Sequence, residues 1–100
     1  MSYQPKYTDP LIDQLYKAIL TLETKEDCER FFDDICTISE VQSLSQRLKV
    51  AELLDNQETY SHIEDVTGAS TATISRISKC LQSQTGGYKL ILERLKAKQK

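Results

Sequence analysis

Apolar positions recur at helical spacing along most of the chain. Ile12, Leu15, Tyr16, Ile19 and Leu22 fall three or four residues apart, the period of one face of an α-helix. Asp9-Pro10 precedes them. An N-cap followed by proline at the first helical position predicts a helix over 10–22. Thr24 restarts the chain as a second cap, with acids directly after it. Cys28, Phe31, Phe32 and Ile35 then fall at i, i+3, i+4 and i+7, a second apolar stripe. Thr37-Ile38-Ser39-Glu40 has the form of a capping box, with the glutamate three residues after the threonine. It predicts a longer helix to about Asp55. Val41, Leu44, Leu48 and Ala51 lie on one face of that helix, and Val50, Leu53 and Leu54 beside them.

Two shorter segments follow the polar turn Asn56-Gln57-Glu58. Thr59 or Ser61 caps the first, which holds Ile63 and Val66 and stops at Gly68. Ser70 caps the second, predicted from Thr71 to about Gln82 with Ile74, Ile77 and Leu81 inward. Gly86-Gly87 breaks the chain. Tyr88, Leu90, Ile91, Leu92 and Leu95 carry a last helix into a basic tail. Outside these segments no stretch of four residues alternates between apolar and polar. The expected fold class is all-α, with six helices in a single domain over 1–100.

Composition sharpens this reading. One hundred residues leave room for one domain, or for one half of an intertwined dimer. Apolar residues make up 39% and charged residues 28%, as in a soluble globular protein. No apolar run approaches the ~18–20 residues of a membrane span. MSYQPKYTDP lacks the apolar core of a signal peptide. Three cysteines without a CxxC suit a reducing compartment, so the expected location is cytoplasmic, with buried thiols. Cys28, Cys36, Cys80 and His62 match no zinc spacing, so no metal is expected. Neither a nucleophile–base pair nor a phosphate loop is visible, and no enzyme activity or cofactor is expected.

Charge is distributed unevenly. The formal net charge is −2, yet residues 1–36 carry 4 basic and 8 acidic side chains, and residues 37–69 carry 2 and 6. Residues 70–100 carry 7 basic and 1 acidic. Such a split suggests one surface that meets an anion. On composition alone, a solvated basic C-terminal helix is the favoured explanation.

The stretch Tyr60–Leu81, YSHIEDVTGASTATISRISKCL, carries the functional signal. It reads as helix, short turn with Gly68, and helix, a helix-turn-helix over 60–82. The turn needs a residue that tolerates positive φ, which glycine supplies. Ile63, Val66, Ala69, Ile74 and Ile77 are spaced to lock the two helices together. Ser70, Thr71, Ala72, Thr73 and Ser75 give the second helix a face without bulk, suited to a major groove. Arg76 and Lys79 follow within reach of phosphates. The same outline describes an ordinary αα corner, and Glu64, Asp65 and the negative net charge favour that alternative.

LSQRLKVAELL at Leu44–Leu54, GASTATISRISKCL at Gly68–Leu81 and GGY at Gly86–Tyr88 resemble the tryptophan-repressor superfamily, most closely its YerC/YecD-type branch. The resemblance runs from about Thr37 to Leu95 and includes the helix order. It implies a six-helix, intertwined homodimer with dimerisation helices over 10–55 and 87–98. The two helix-turn-helix elements would then reach successive major grooves. Double-stranded DNA is the implied partner. Base contacts would come from Ser70, Thr71, Ala72 and Thr73, and phosphate contacts from Arg47, Ser75, Arg76 and Lys79. The Thr71 and Thr73 methyls could meet thymine methyls.

Thr37, Arg47 and Arg76 align with the positions that bind the family's corepressor. Ile77 stands where that family has a glycine that makes room for an indole. A branched side chain there fills the site, so Thr37, Arg47, Arg76 and Ile77 are read as a vestigial effector pocket without tryptophan dependence. Cys80 replaces a serine of that site, and Glu64 replaces a basic residue that approaches the operator. The implied function is a sequence-specific transcriptional regulator, a repressor on a two-fold operator. The alternative is an α-helical protein-interaction module with weak or no DNA binding.

Overall fold

The computed structural model describes residues 3–99. Among them the chain forms six α-helices and no strand: α1 Pro10–Ile19, α2 Lys25–Ile35, α3 Ile38–Asp55, α4 Tyr60–Thr67, α5 Thr71–Gln82 and α6 Gly87–Lys98. None of these helices is long and apolar enough to cross a membrane. The chain divides into two compact units, one ending at Ile38 and the other beginning at Ser39.

In the first unit, local polar chemistry sets both helix starts. The Asp9 carboxylate accepts from the amides of Leu11 at 2.7 Å and Ile12 at 3.4 Å, and Pro10 occupies the first helical position. Thr24 Oγ1 accepts from the Asp27 amide at 3.0 Å, and the Asp27 carboxylate accepts from the Glu23 amide at 3.0 Å. One donor that the helix N-terminus leaves open is thereby met, and the carboxylate at the third helical position reaches back to the residue before the cap. α1 ends at Ile19 and not at 22. The Thr21 hydroxyl donates to the Ala18 carbonyl at 2.6 Å, and the Leu22 amide donates to Ile19 at 3.1 Å. The final turn is tightened by these three-residue closures, which stop the helix although the apolar period runs on.

Neither α1 nor α2 buries a residue. Phe31 and Phe32 meet edge to face at 5.4 Å and are half-buried. Leu11, Leu20, Ile35 and Ile38 stand exposed. Cys28 and Cys80 are exposed and Cys36 is half-buried, so the expected burial of the thiols is corrected. Cys28 sits on the α2 stripe, which buries nothing within this chain.

The second unit holds the core. Val50 and Ala51 of α3, Ile63 of α4, Ala69 of the turn, Ile74 and Ile77 of α5, and Leu92 of α6 are buried together. Leu53, Leu54 and Tyr88 pack against this cluster. Each of the three isoleucines contributes about 1.5–3 kcal/mol by leaving water. Leu44 and Leu48 of α3 remain 47% and 36% exposed.

α3 closes with the Glu58 amide donating to Leu53 at 3.0 Å and the Gln57 amide to Leu54 at 2.9 Å. This is the paired closure usually completed by glycine. Here Gln57 takes it, at φ 65°.

Candidate nucleic-acid interface

α4, the turn after it and α5 place most of the residues expected to meet DNA. Thr59 caps α4 by accepting from the His62 amide at 3.1 Å. Gly68 ends the helix at φ 72°, ψ 6°, with its amide on the Glu64 carbonyl at 2.8 Å. Side chains stitch the turn shut. The Thr67 hydroxyl donates to the Ile63 carbonyl at 2.7 Å and accepts from the Ala69 amide at 3.1 Å. Gln46 reaches across from α3 and donates to the Thr67 carbonyl at 3.0 Å. The polar groups of a half-buried turn are thus paired, as burial requires.

α5 begins at Ser70, whose hydroxyl accepts from the Thr73 amide at 3.2 Å and donates to Thr73 Oγ1 at 3.1 Å. Ile74 and Ile77 turn inward and fix the rotation of the helix, being 0% and 2% exposed. That rotation leaves Ser70, Thr71 and Ala72 exposed, with Thr73 and Ser75 half-buried. Arg76 and Lys79 follow, both exposed.

Of the five residues expected to lock the two helices, Ile63, Ala69, Ile74 and Ile77 are buried, whereas Val66 is 50% exposed. Thr67, four residues after Ile63, takes the inner position because its hydroxyl is satisfied by the Ile63 carbonyl. An inward threonine costs little once paired.

The cations of this region are uncompensated. Lys17, Lys25, Arg30 and Lys49 pair with acids three or four residues away on their own helices. Lys96 pairs with Asp55 at 3.5 Å. Among the described residues, no carboxylate pairs with Arg47, Arg76 or Lys79.

The residues expected to form a vestigial effector pocket fall in both units. Thr37 belongs to the first unit; Arg47, Arg76 and Ile77 belong to the second. Arg47 and Arg76 both act electrostatically on Tyr88 of α6, as does Cys80. Burial, and secondarily Cys80, push the Tyr88 phenol above its ordinary value, against the two guanidinium groups, which lower it. Ile77 lies in the core cluster.

Two features of this region lie outside the sequence-based assignment. Gln46 is 21 residues from the carbonyl it holds, beyond any local spacing rule. Glu64 Oε1 accepts a hydrogen bond from Thr71 Oγ1, across the turn. His62 is exposed, with Glu58 3.8 Å away. The described residues contain no group of three His, Cys, Asp or Glu able to hold a metal ion.

The chain is similar to known proteins. Residues 11–96 match the family described as Trp repressor protein. The uncharacterized protein YerC of Bacillus subtilis (strain 168) is 54% identical over 85 residues, covering 85% of this chain and 82% of that protein. A solved Trp repressor-type chain from Staphylococcus aureus superposes with a TM-score of 0.84 at 50% identity, covering 89% of each chain. A TrpR-like protein from Eubacterium eligens ATCC 27750 superposes with a TM-score of 0.83 at 46% identity, covering 87% of this chain and 90% of that one. With this match, these relatives and a shared all-α fold, the chain belongs to the Trp repressor protein family.

Proposed function

We propose that this protein is a sequence-specific DNA-binding transcriptional regulator, a repressor that occupies a two-fold operator as a homodimer. The observation that carries the reading is the outer face of α5. Its start is free of bulk, with Ser70, Thr71 and Ala72 exposed; its rotation is fixed by Ile74 and Ile77, and among the described residues Arg76 and Lys79 stand without an ion pair behind it. α4 and α5 act together as a helix-turn-helix over 60–82, with α5 in the major groove. Ser70, Thr71, Ala72 and Thr73 meet base edges; Arg47, Ser75, Arg76 and Lys79 meet phosphates. Family membership supports the same reading.

A homodimer is supported by the apolar surface. α1 and α2 bury nothing, yet Leu11, Leu20, Ile35 and Ile38 are 50–83% exposed. Exposed apolar area of this kind marks an association surface. Helices over 10–55 and 87–98 would supply it. Tryptophan is not the protein's corepressor, because Ile77 is committed to the core. The protein acts in the cytoplasm.

Selection of genomic fragments by the purified protein, without added amino acid, tests this function. A two-fold motif is expected. Log affinity should fall with log salt by about 0.9 for each phosphate contacted. Arg76→Ala and Lys79→Ala should each flatten that slope by about one. An absent motif with a flat salt response would transfer the reading to an α-helical protein-interaction module.

A further inference from the structure

Glu64 is an acid at the edge of a surface proposed to bind a polyanion. Phosphate repulsion alone makes it unfavourable there. The structure shows what it does locally. Thr71, at the first position of α5, donates its hydroxyl proton to Glu64 Oε1. Both residues are exposed. Among the described residues nothing else donates to this carboxylate.

The consequence follows from donor counting. A threonine hydroxyl has one proton and two lone pairs, and an ionised carboxylate has lone pairs only. Once the Thr71 proton is committed to Glu64, neither side chain has a proton to offer. Together they form an acceptor-only patch next to a methyl group. In the major groove, cytosine N4 and adenine N6 carry amino donors. Guanine offers only the acceptors N7 and O6, and thymine only O4 and its methyl. An acceptor-only patch attracts the first pair of bases and repels the second.

We propose that Glu64 is a specificity-determining residue of the interface. By fixing the Thr71 hydroxyl toward its own carboxylate, it makes the start of α5 select an amino-bearing base, cytosine or adenine, and reject guanine and thymine at the position it faces. This replaces the thymine-methyl contact expected for Thr71 from the sequence. The inference rests on the DNA-binding reading above. The acid lowers general affinity through repulsion and raises discrimination through the unmatched acceptors it sets against a keto base. Those two effects have opposite signs, which a merely structural role would not produce.

The test compares the full-length protein with Glu64→Gln and Thr71→Val, using a randomised duplex library and, separately, random-sequence duplex. Glutamine keeps the shape, removes the charge and adds an amide donor. It should tighten random-duplex binding about 2–5-fold, as expected when one repulsive charge is removed. It should also reduce the preference for amino over keto bases at one symmetric position about tenfold, the scale of a good base contact. Thr71→Val leaves the carboxylate untethered and should weaken the same preference to a smaller extent. Both sites are exposed, so the melting temperature should stay near that of the native chain; if Glu64→Gln fails to fold, Thr71→Val decides. A native motif with unchanged preference in the folded variants overturns the proposal. So does a native motif whose position facing Glu64 favours guanine or thymine. A native protein that enriches nothing overturns the DNA-binding reading itself, and this inference with it; the native sample alone distinguishes that failure.

Discussion

α3 and α4 both end on a left-handed residue, and only one of those residues is glycine. Gly68 has φ 72° and Gln57 has φ 65°. A methyl added at Gly68 meets nothing within 4 Å, so the cost of Gly68→Ala is torsional alone. The left-handed conformation costs an L-residue about 1–2 kcal/mol. Stiffening of the unfolded chain by alanine offsets about 0.4–1 kcal/mol of that. The net expectation is a destabilisation of about 1 kcal/mol.

Gln57→Gly reverses both contributions. Gln57 is exposed, and its side chain makes no hydrogen bond among the described residues. The expected change is a stabilisation of up to about 1 kcal/mol. For a domain of this size, 1 kcal/mol moves the thermal midpoint by roughly 4–8 °C. Both variants should be melted by far-ultraviolet circular dichroism at one fixed chain concentration, because association contributes to the midpoint. Gly68→Asn serves as a control and should cost less than alanine, since asparagine tolerates this conformation. Midpoints that shift in the same direction for Gly68→Ala and Gln57→Gly would refute the torsional argument.

The remaining predictions concern the core, pH and ligand. Ile74→Ala, at a site with no exposure, should cost about 2–5 kcal/mol in chemical denaturation. Val66→Ala, half exposed, should cost less than about 1 kcal/mol; similar costs would restore Val66 to the core. Tyr88 binds its proton more tightly in the folded state than in the unfolded one. Its contribution to stability is therefore complete below about pH 10 and is lost as pH rises through the folded value. Spectrophotometric titration should show a late phenolate that Tyr88→Phe removes, and an unchanged curve would contradict the burial argument. Calorimetric titration with L-tryptophan should give no heat of binding at micromolar ligand; a saturable signal would show that Ile77 leaves room for an indole.

Helix starts were legible because each is written in adjacent residues. Asp9, Thr24, Thr59 and Ser70 cap their helices through their own side chains, and α5 spans the predicted Thr71–Gln82. The end of α1 was not legible from its apolar period. Leu22 keeps that period, but the Thr21 hydroxyl closes the turn on Ala18. Val66 misled for a related reason: spacing counts apolar residues, and the inward position went to a threonine. Gln57 reads as part of a polar turn, and its left-handed backbone carries no compositional sign. The small exposed face of α5 was visible in the sequence. Gln46 on Thr67 and Glu64 on Thr71 were not, since each joins residues that only the folded backbone brings together.

The stitched turn between α4 and α5 separates two tasks within a few residues. Thr67, Gly68 and Ala69 close the turn, and Gln46 holds it from behind. Ser70 caps α5, while Ile74 and Ile77 hold it down. Among the described residues, Ala72 has no side-chain hydrogen bond in this scaffolding, and the Thr71 hydroxyl is tied to Glu64 alone. Substitutions at 64, 71 and 72 are therefore nearly neutral for folding, whatever they do to recognition. On the DNA-binding reading proposed above, a lineage built on this scaffold can drift in target preference without passing through unfolded intermediates. Duplicated copies can diverge in what they recognise while keeping one architecture.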